Sequence, residues 1–445
     1  MRKSLENSII DAVLAEDLPN AAHQLTQSSP LDVVSIMGRV GAHHAAVIFR
    51  LLAKDRAAEV FELLEPGIQG DIVRTLGGED VVMLFAQLAP DDKAALLDEL
   101  PAAVAKRLLE SLPFSDQRVT NVILGYPTRS VGRWANPRVV ALRPHLPVDE
   151  ALQLVRQQAS WAETIYTIAV VSDSRQLVGV VGLRDLLCAQ DSRLVEDVMS
   201  PAQFAHVTER AEDVARRVVA QDWLALPVVD REERLVGIFT VDDAGQVLTE
   251  EEDEDSARAG ASEPLPRPYL ATSVVNIVRS RVVWLMVLAA SALFTVHVLE
   301  MFETTLEQKV VLAAFIPLII GTGGNTGTQA ATTVTRALAL GEVRPTDVLT
   351  VMFREVRVGF LLGAILGAAA LLLATLAYDV STGVVIGSTL MAICMLAATV
   401  GSAMPMIART LRVDPAVFST PFITTFCDAT GLLLYFVIAR AVFGL

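Results

Sequence analysis

Along residues 1–128 apolar positions recur at helical spacing, and proline or glycine breaks the pattern every few turns. The stretch "LAKDRAAEVFELLEP" at 52–66 resembles "LAPDDKAALLDELPA" at 88–102, which predicts a diverged repeat of short amphipathic helices. Units of this kind bury their faces against neighbours, so the region fits a small superhelical α-domain or a plain helical bundle. Over 129–249 the pattern changes. β-branched runs flank short polar turns, and "IAVVSDSRQLVGVVGLRDLL" at 168–187 lines up with "LPVVDREERLVGIFTVDDAG" at 226–245. Each copy predicts strand, turn, strand and helix start, which divides the region into α/β domains at 129–194 and 195–249. An acidic run, "EEEDED" at 250–255, then opens a linker and connecting helix over 250–280. From 281 to 445 five apolar stretches follow, at 282–299, 310–340, 358–378, 383–408 and 415–445, each able to supply the roughly 20 residues that a span requires.

Charge sharpens that division. Before Ala261 there are 41 acidic and 25 basic residues, and from Ala261 onward 10 and 11. The fold class is therefore a multidomain membrane protein: an acidic, soluble N-terminal region joined to a five-helix all-α transmembrane domain. So acidic a region lacks the basic surface that displaces counterions from phosphates, which argues against nucleic acid and makes cations its natural partners. Arg279 and Arg281 precede the first span. Arg336, Arg344, Arg354 and Arg357 fall between the second and third, and Arg409 and Arg412 between the fourth and fifth. The alternate loops, "EMFETTLEQK" and "YDVSTG", are acidic or nearly uncharged, which predicts a cytoplasmic N-terminus, a C-terminus outside and a multi-pass plasma membrane protein. Cys188, Cys394 and Cys427 have no paired spacing, so neither a disulfide framework nor a zinc site is indicated. The N-terminus has no continuous apolar core before its acids and does not read as a signal peptide.

The second apolar stretch contains "PLIIGTGGNTGTQAATT" at 317–333, unusually rich in glycine and hydrogen-bonding side chains for hydrocarbon depth. Gly321, Gly323, Gly324 and Gly327 let helices approach closely or the backbone unwind, and Asn325 and Gln329 can then offer carbonyl oxygens to a cavity. In the last stretch Asp414 and Pro415 form an N-cap and first-turn pair. Asp428 then falls about 20 Å from either end, near the midplane, where a carboxylate faces water rather than lipid. Oxygen ligands with few fixed charges suit a hard cation that sheds its hydration reluctantly, of which Mg²⁺ is the extreme case. A single Asp makes a thin site, and two-fold pairing of chains supplies a second.

The duplicated 168–187 and 226–245 segments resemble tandem CBS domains, in which a Ser/Thr-x-x-Asp element can hold a nucleotide ribose. The second copy keeps Thr240 and Asp243, while the first has Gly182 before Asp185. With them, "GTGGNTGTQAAT" and "DPAVFSTPFITTFCDATGLLLYF" resemble the MgtE family of magnesium channels and transporters across essentially the whole chain. The resemblance implies a homodimer with its pore on the two-fold axis. Asp428 would hold hydrated Mg²⁺, with Asn325, Gln329, Thr424, Gly324 and Gly327 completing the pore site. It also implies a cytoplasmic Mg²⁺ sensor at Asp91, Asp243, Glu251, Glu254 and Asp255, and makes ATP a candidate ligand at Thr240 and Asp243. Two positions depart from the family pattern: Gln246 stands where an acid is expected one turn after Asp243, and Thr420 where some relatives have Asn.

The expected function is passive, Mg²⁺-gated uptake of Mg²⁺, since no Walker A sequence occurs. A broader Co²⁺ or Mn²⁺ transporter and a non-conducting, membrane-anchored Mg²⁺ or nucleotide sensor stay open as alternatives. An intramembrane enzyme is disfavoured: HExxH is absent, and an aspartyl mechanism needs two deep acids where Asp428 is the one the spans offer. His43 and His44 are neighbours that face different directions on a helix and do not make a metal pair.

Overall fold

The computed structural model describes residues 2–76, 79–339, 341–411 and 420–445. The chain resolves into two compact units, Met1–Glu252 with Leu265–Ser273, and Asp253–Pro264 with Val274–Leu445.

The first unit opens with ten helices among the described residues: α1 (Arg2–Leu14), α2 (Leu18–Gln27), α3 (Pro30–Met37), α4 (Ala42–Arg50), α5 (Lys54–Glu62), α6 (Pro66–Leu76), α7 (Glu79–Gln87), α8 (Pro90–Asp98), α9 (Ala102–Ser111) and α10 (Phe114–Leu124). Local chemistry starts several of them. In α3, Ser29 Oγ accepts from Asp32 N and Asp32 Oδ2 accepts from Ser29 N, both at 3.2 Å, a closed capping box. From α3 onward each helix packs on the one two places along, α4 on α6, α6 on α8 and α8 on α10, with α3, α5, α7 and α9 forming a second row. That pattern is a superhelix, which decides between the two arrangements the sequence allowed. Ile36, Phe61, Ile72 and Phe85 lie in one continuous core along it.

Two three-stranded sheets follow. In the first, β1 (Ala141–Leu142) runs parallel to β2 (Thr167–Val171), which pairs antiparallel with β3 (Leu177–Gly182). In the second, β4 (Ala205–His206), β5 (Ala225–Val229) and β6 (Leu235–Thr240) repeat the arrangement. Helices α11 (Val148–Gln158), α12 (Leu183–Cys188), α13 (Ala211–Ala220) and α14 (Val241–Ala259) complete the pair. The copies meet along Ala169, Val171, Leu177, Val229 and Leu235, and each donates a reciprocal bond across the seam, Leu177 N to Glu233 O at 2.9 Å and Leu235 N to Arg175 O at 3.0 Å.

The two lobes do not correspond to consecutive lengths of chain. Asn136 and Ile238 exchange both backbone hydrogen bonds, at 2.9 and 2.8 Å, and Val131 and Ala135 lie in the core of the second copy. Ser200 and Val180 do the same at 2.8 and 2.9 Å, and Val195 lies in the core of the first. The leading segments are thus exchanged across the 194/195 division. Local patterning shows the strand, turn and strand of each copy but not which core its leader joins.

The acidic run expected to open a linker is helical. α14 continues through residues 250–255, supported by a hydrogen bond from Gln246 Nε2 to Glu250 Oε1 (3.1 Å) and by the Glu254–Arg258 ion pair, each four residues apart.

Among the described residues of the second unit five helical segments are long and apolar enough to cross a membrane: Val274–Met301, Val310–Ala339, Pro345–Ala377, Val380–Thr410 and Pro421–Phe443. Their helices are α15 (Val274–Met301), then, after the short α16 (Glu303–Gln308), α17 (Ile316–Ala339), α18 (Val348–Ala377), α19 (Val380–Thr410) and α20 (Thr420–Phe443). The first and third begin earlier than hydropathy alone suggests. Asn276, Arg279 and Arg281, and Arg354, Glu355 and Arg357, continue the helix as readily as apolar residues while lowering the hydropathy. The expected Asp414–Pro415 cap lies outside the described residues.

α19 is the central element, packed by α17, α18 and α20. Against it α18 sets Gly359, Gly363 and Gly367, four residues apart, where a methyl group would stand 2.5–2.7 Å from the α19 backbone. In a bilayer, where lipid tails compete equally for apolar side chains, such close backbone approach drives helix association.

Candidate functional site

The glycine-rich stretch is continuous helix, so of the two roles open to its glycines close approach is the one adopted. Gly323, Gly324, Thr326, Gly327, Ala330, Ala331 and Val334 form the buried side of α17. A Cβ at Gly323 would stand 2.6 Å from Ile393 Cδ1 of α19, and one at Gly324 would stand 2.7 Å from Thr424 Cγ2 and 3.7 Å from Asp428 Oδ1 of α20. Without a side chain, Gly324 leaves the notch into which Asp428 fits. Gly327 meets Cys427 Sγ and Ile423 Cγ2, each 3.0 Å from its missing Cβ, and therefore serves helix packing beside the notch rather than the carboxylate itself. A Cβ at Gly401 of α19 would strike Gly327 O, so α17 and α19 meet there on bare backbone.

Asp428 is half-buried, eight residues and so about 12 Å in from Thr420, the first described residue of α20. Its Oδ1 is buried and has no hydrogen-bond partner within the single chain. Thr424 Oγ1 lies one turn away, 3.5 Å from Thr328 Oγ1. Gly321, Asn325 and Gln329, spaced four apart, are exposed on α17. Gly324, Thr424 and Asp428 are therefore gathered by one chain, while Asn325 and Gln329 stand on its open face. An unpartnered carboxylate oxygen among apolar helices is expensive, and the expense makes Asp428 the candidate functional carboxylate of the second unit.

The acids of the first unit are arranged differently. Asn136, fully buried and fixed by its paired bonds to Ile238, donates from Nδ2 to Asp91 Oδ1 (3.1 Å) and to Glu163 Oε2 (2.7 Å). One amide thus bridges the superhelix at α8 to the loop before β2. Asp243, in the first turn of α14, accepts at Oδ2 from the Thr240 hydroxyl (2.6 Å) and backbone N–H (3.4 Å). Burial, and then the charges of Asp92, Asp243 and Glu163, hold the Asp91 carboxyl well above the usual range. Asp92 is pushed up to about 7 by burial and by Asp243, Glu62, Glu163 and Asp242. Asp243 rises to about 6 through burial, against the two bonds from Thr240. Burial, Asp243 and Asp242 raise Glu163, with Arg138 opposing them. Among the described residues no three His, Cys, Asp or Glu side chains converge closely enough to hold a bare metal ion.

Sequence reasoning found Asp91 and Asp243 here but missed Asp92, Glu163 and Asn136. The doubled acid of "PDD" was a visible signal for Asp92; Asn136 and Glu163 come from loops without periodicity. The remaining sensor candidates do not join this group. Glu251, Glu254 and Asp255 stand about 12–18 Å further along α14 than Asp243, and Glu254 pairs with Arg258. At the possible nucleotide element, Thr240 and Asp243 stand side by side, whereas in the first copy Gly182 brings no hydroxyl and a Cβ there would lie 2.9 Å from Asp185 Oδ2.

Comparison with known proteins agrees along the whole length. The family model for the MgtE divalent cation transporter matches residues 316–438, that for the MgtE intracellular N domain matches 28–129, and CBS domains match 131–192 and 195–248. The chain is 35% identical to the magnesium transporter MgtE of Thermus thermophilus, over 99% of each, and 31% identical to that of Bacillus subtilis, over 94% of this chain and 92% of the relative. The crystal structure of the cytosolic domain of the Mg²⁺ channel MgtE in complex with ATP covers 54% of this chain, with 99% of that domain matched, at 32% identity and a TM-score of 0.50. This chain, with its superhelix, paired CBS domains and five apolar helices, belongs to the MgtE family of magnesium transporters.

Proposed function

We propose that the protein is a passive, Mg²⁺-selective pathway into the cytoplasm that closes when cytoplasmic Mg²⁺ is high. The observation that carries the pathway is the buried, unpartnered Oδ1 of Asp428 beside the Gly324 notch. Two chains related by a two-fold axis would place two such carboxylates and the exposed Asn325 and Gln329 stripes around one water-filled path. A hydrated ion fits donors of this kind, since each carboxylate and carbonyl oxygen can accept from its water shell without stripping it. With the acidic region cytoplasmic and the C-terminus outside, as the arginine-bearing loops suggest, the membrane potential drives entry. It contributes about 2.3 kcal/mol per charge per 100 mV, and roughly twice that for a divalent ion.

Closure follows from the acids of the first unit. At low Mg²⁺ their mutual repulsion keeps the cytoplasmic region open; a hydrated ion between Asp91, Asp92, Glu163 and Asp243 offsets it and favours the compact arrangement. Driving a gate from 1:99 to 99:1 takes roughly 5.5 kcal/mol of differential binding, which several weak sites can share. ATP is the candidate second ligand, with Thr240 and Asp243 positioned to meet a ribose, and nothing in the mechanism requires its hydrolysis. Purified protein in liposomes tests the function. Mg²⁺ should enter under an inside-negative potential with Co²⁺ and Mn²⁺ competing poorly. Equal flux of all three would favour the broader divalent transporter, and no flux the membrane-anchored sensor.

A further inference from the structure

Between α14 and α15 the chain is held twice. Residues 253–264 pack with the second unit, where Glu263 N donates to Ser280 O and Trp284 Nε1 donates to Glu263 Oε1, both at 2.9 Å. Residues 265–273 return to the first unit. There Arg267 Nη2 donates to Asp71 Oδ1 of α6 at 2.6 Å, and Arg267 Nε stands 2.6 Å from Asp71 Oδ2. Asp71 is 8% exposed, and its Oδ1 also accepts from Arg74 Nη2 at 2.5 Å. α6 is cut away to receive the segment, because a Cβ at Gly67 would strike Pro266 O. Pro268 Cγ lies 3.4 Å from the missing Cβ of Gly38. The buried Thr272 closes the turn, its Oγ1 donating to Pro268 O (3.1 Å) and Arg267 O (3.2 Å).

The sequence makes this segment stiff. Pro264, Pro266 and Pro268 alternate through "PLPRP", each fixing φ near −65° and lacking an N–H, so the stretch favours an extended form that resists bending. Ser273 is followed directly by Val274, the first residue of the first span. Four residues separate the Glu263 and Arg267 anchorages, a reach of at most about 14 Å.

We propose that residues 265–273 form a strap by which the N-terminal superhelix holds the start of the first span, with Asp71 and Arg267 as its clasp. The superhelix then has a covalent route to the membrane that bypasses the CBS pair and α14. Motion of α6 is delivered to Val274 through Pro268 and the turn that Thr272 closes, a stretch of six residues with little slack. The clasp is an interaction in its own right; its part in closing the pore rests on the proposed Mg²⁺ gating.

Hydrogen exchange on the full-length protein in lipid nanodiscs reads the clasp directly. Asp71→Asn and Arg267→Gln should each speed exchange of the 269–273 amides about tenfold or more, the scale of a charged hydrogen bond. The double variant should add little, since both changes break one contact. Gly67→Ala, which keeps both charges and displaces Pro266, should loosen the same amides and guards against a general charge effect. Thermal melting and helix content should stay near wild type. Unchanged exchange in all three single variants overturns the clasp. Recordings in the same variants should show closure moving at least about threefold to higher Mg²⁺ with open conductance kept, as removal of one coupling contact implies. A loosened strap with unaltered closure overturns its role in coupling. If wild-type protein conducts without responding to Mg²⁺, the gating reading fails while the exchange measurement still decides the clasp.

Discussion

The two groups of carboxylates in this chain keep opposite company. Asp428 stands in a notch between apolar helices, its Oδ1 without a hydrogen-bond partner and Thr424 one helical turn away. Asp91, Asp92, Glu163 and Asp243 sit in one another's fields, tied by the amide of Asn136 and the hydroxyl of Thr240. A lone charge attracts a hydrated cation without gripping it, which suits passage. A crowd of charges is strained until a cation arrives, which suits sensing. On the proposed reading, the same residue type serves transit or detection according to the neighbours that the fold supplies.

The sharpest way to break that contrast is at Asp428. Asp428→Ala should lower Mg²⁺ flux in liposomes by about 100-fold or more while melting stays unchanged, because the carboxylate sits half-buried in the notch at Gly324 rather than in packed core. Asp428→Glu should retain part of the flux at most. Normal flux in the Ala variant would sink the pore assignment. Next in size, Gly324→Val should fill the notch against Thr424, costing about 1–3 kcal/mol of stability and most of the flux. Asn325→Leu should reduce flux several-fold with no loss of stability, since the side chain is exposed on α17. If only the glycine matters, the amide stripe takes no part in conduction.

On the proposed sensing side, Asn136→Ala removes a donor from the buried Asp91 carboxylate and from the exposed Glu163, and should cost about 1–3 kcal/mol in the absence of divalent ions. Flux through the open pore should be unaffected, and a fall in conductance would merge the two groups that the structure separates. The smallest effect is on pH. Folded Asp92 and Asp243 hold protons up to about 7 and about 6, above the usual carboxylate value near 3.9. Between those limits the folded state binds more protons than the unfolded chain, so stability falls as pH rises from about 4 to 7. Without divalent ions the cytoplasmic melting transition should therefore lie lower at pH 8 than at pH 5, by a few degrees, and saturating Mg²⁺ should flatten the difference. A transition that climbs over that range in the absence of Mg²⁺ would show that the crowding is not felt.

Much of this was legible in the residues. Five apolar stretches, two copies of one strand pattern and a helical repeat survive in sequence because they are periodic. Asp428 and the glycines stand out because their surroundings exclude them. What stayed hidden depends on long-range placement. Nothing local marks Asn136 as the bridge between Asp91 and Glu163, since the three lie in separate elements. Likewise "EEEDED" advertises one dense negative patch, yet α14 spreads it along a helix and Arg258 pairs with Glu254. Charge density can be read from a string of letters, but its compensation requires the fold.

The exchanged leaders of the CBS pair bear on how the protein is made. As the chain leaves the ribosome, Val131, Ala135 and Asn136 emerge about 100 residues before Ile238, the strand residue they dock beside. At 5–20 residues per second that is a wait of roughly 5–20 s. The first lobe can close once Val195 and Ser200 have appeared, earlier than the second. Asn136 is needed both for the last lobe and for the bridge to Asp91, so the acidic group is assembled among the final events in the folding of the first unit. Until β6 has been synthesised, the nascent protein has Asp91, Asp92 and Glu163 but not the geometry that gathers them.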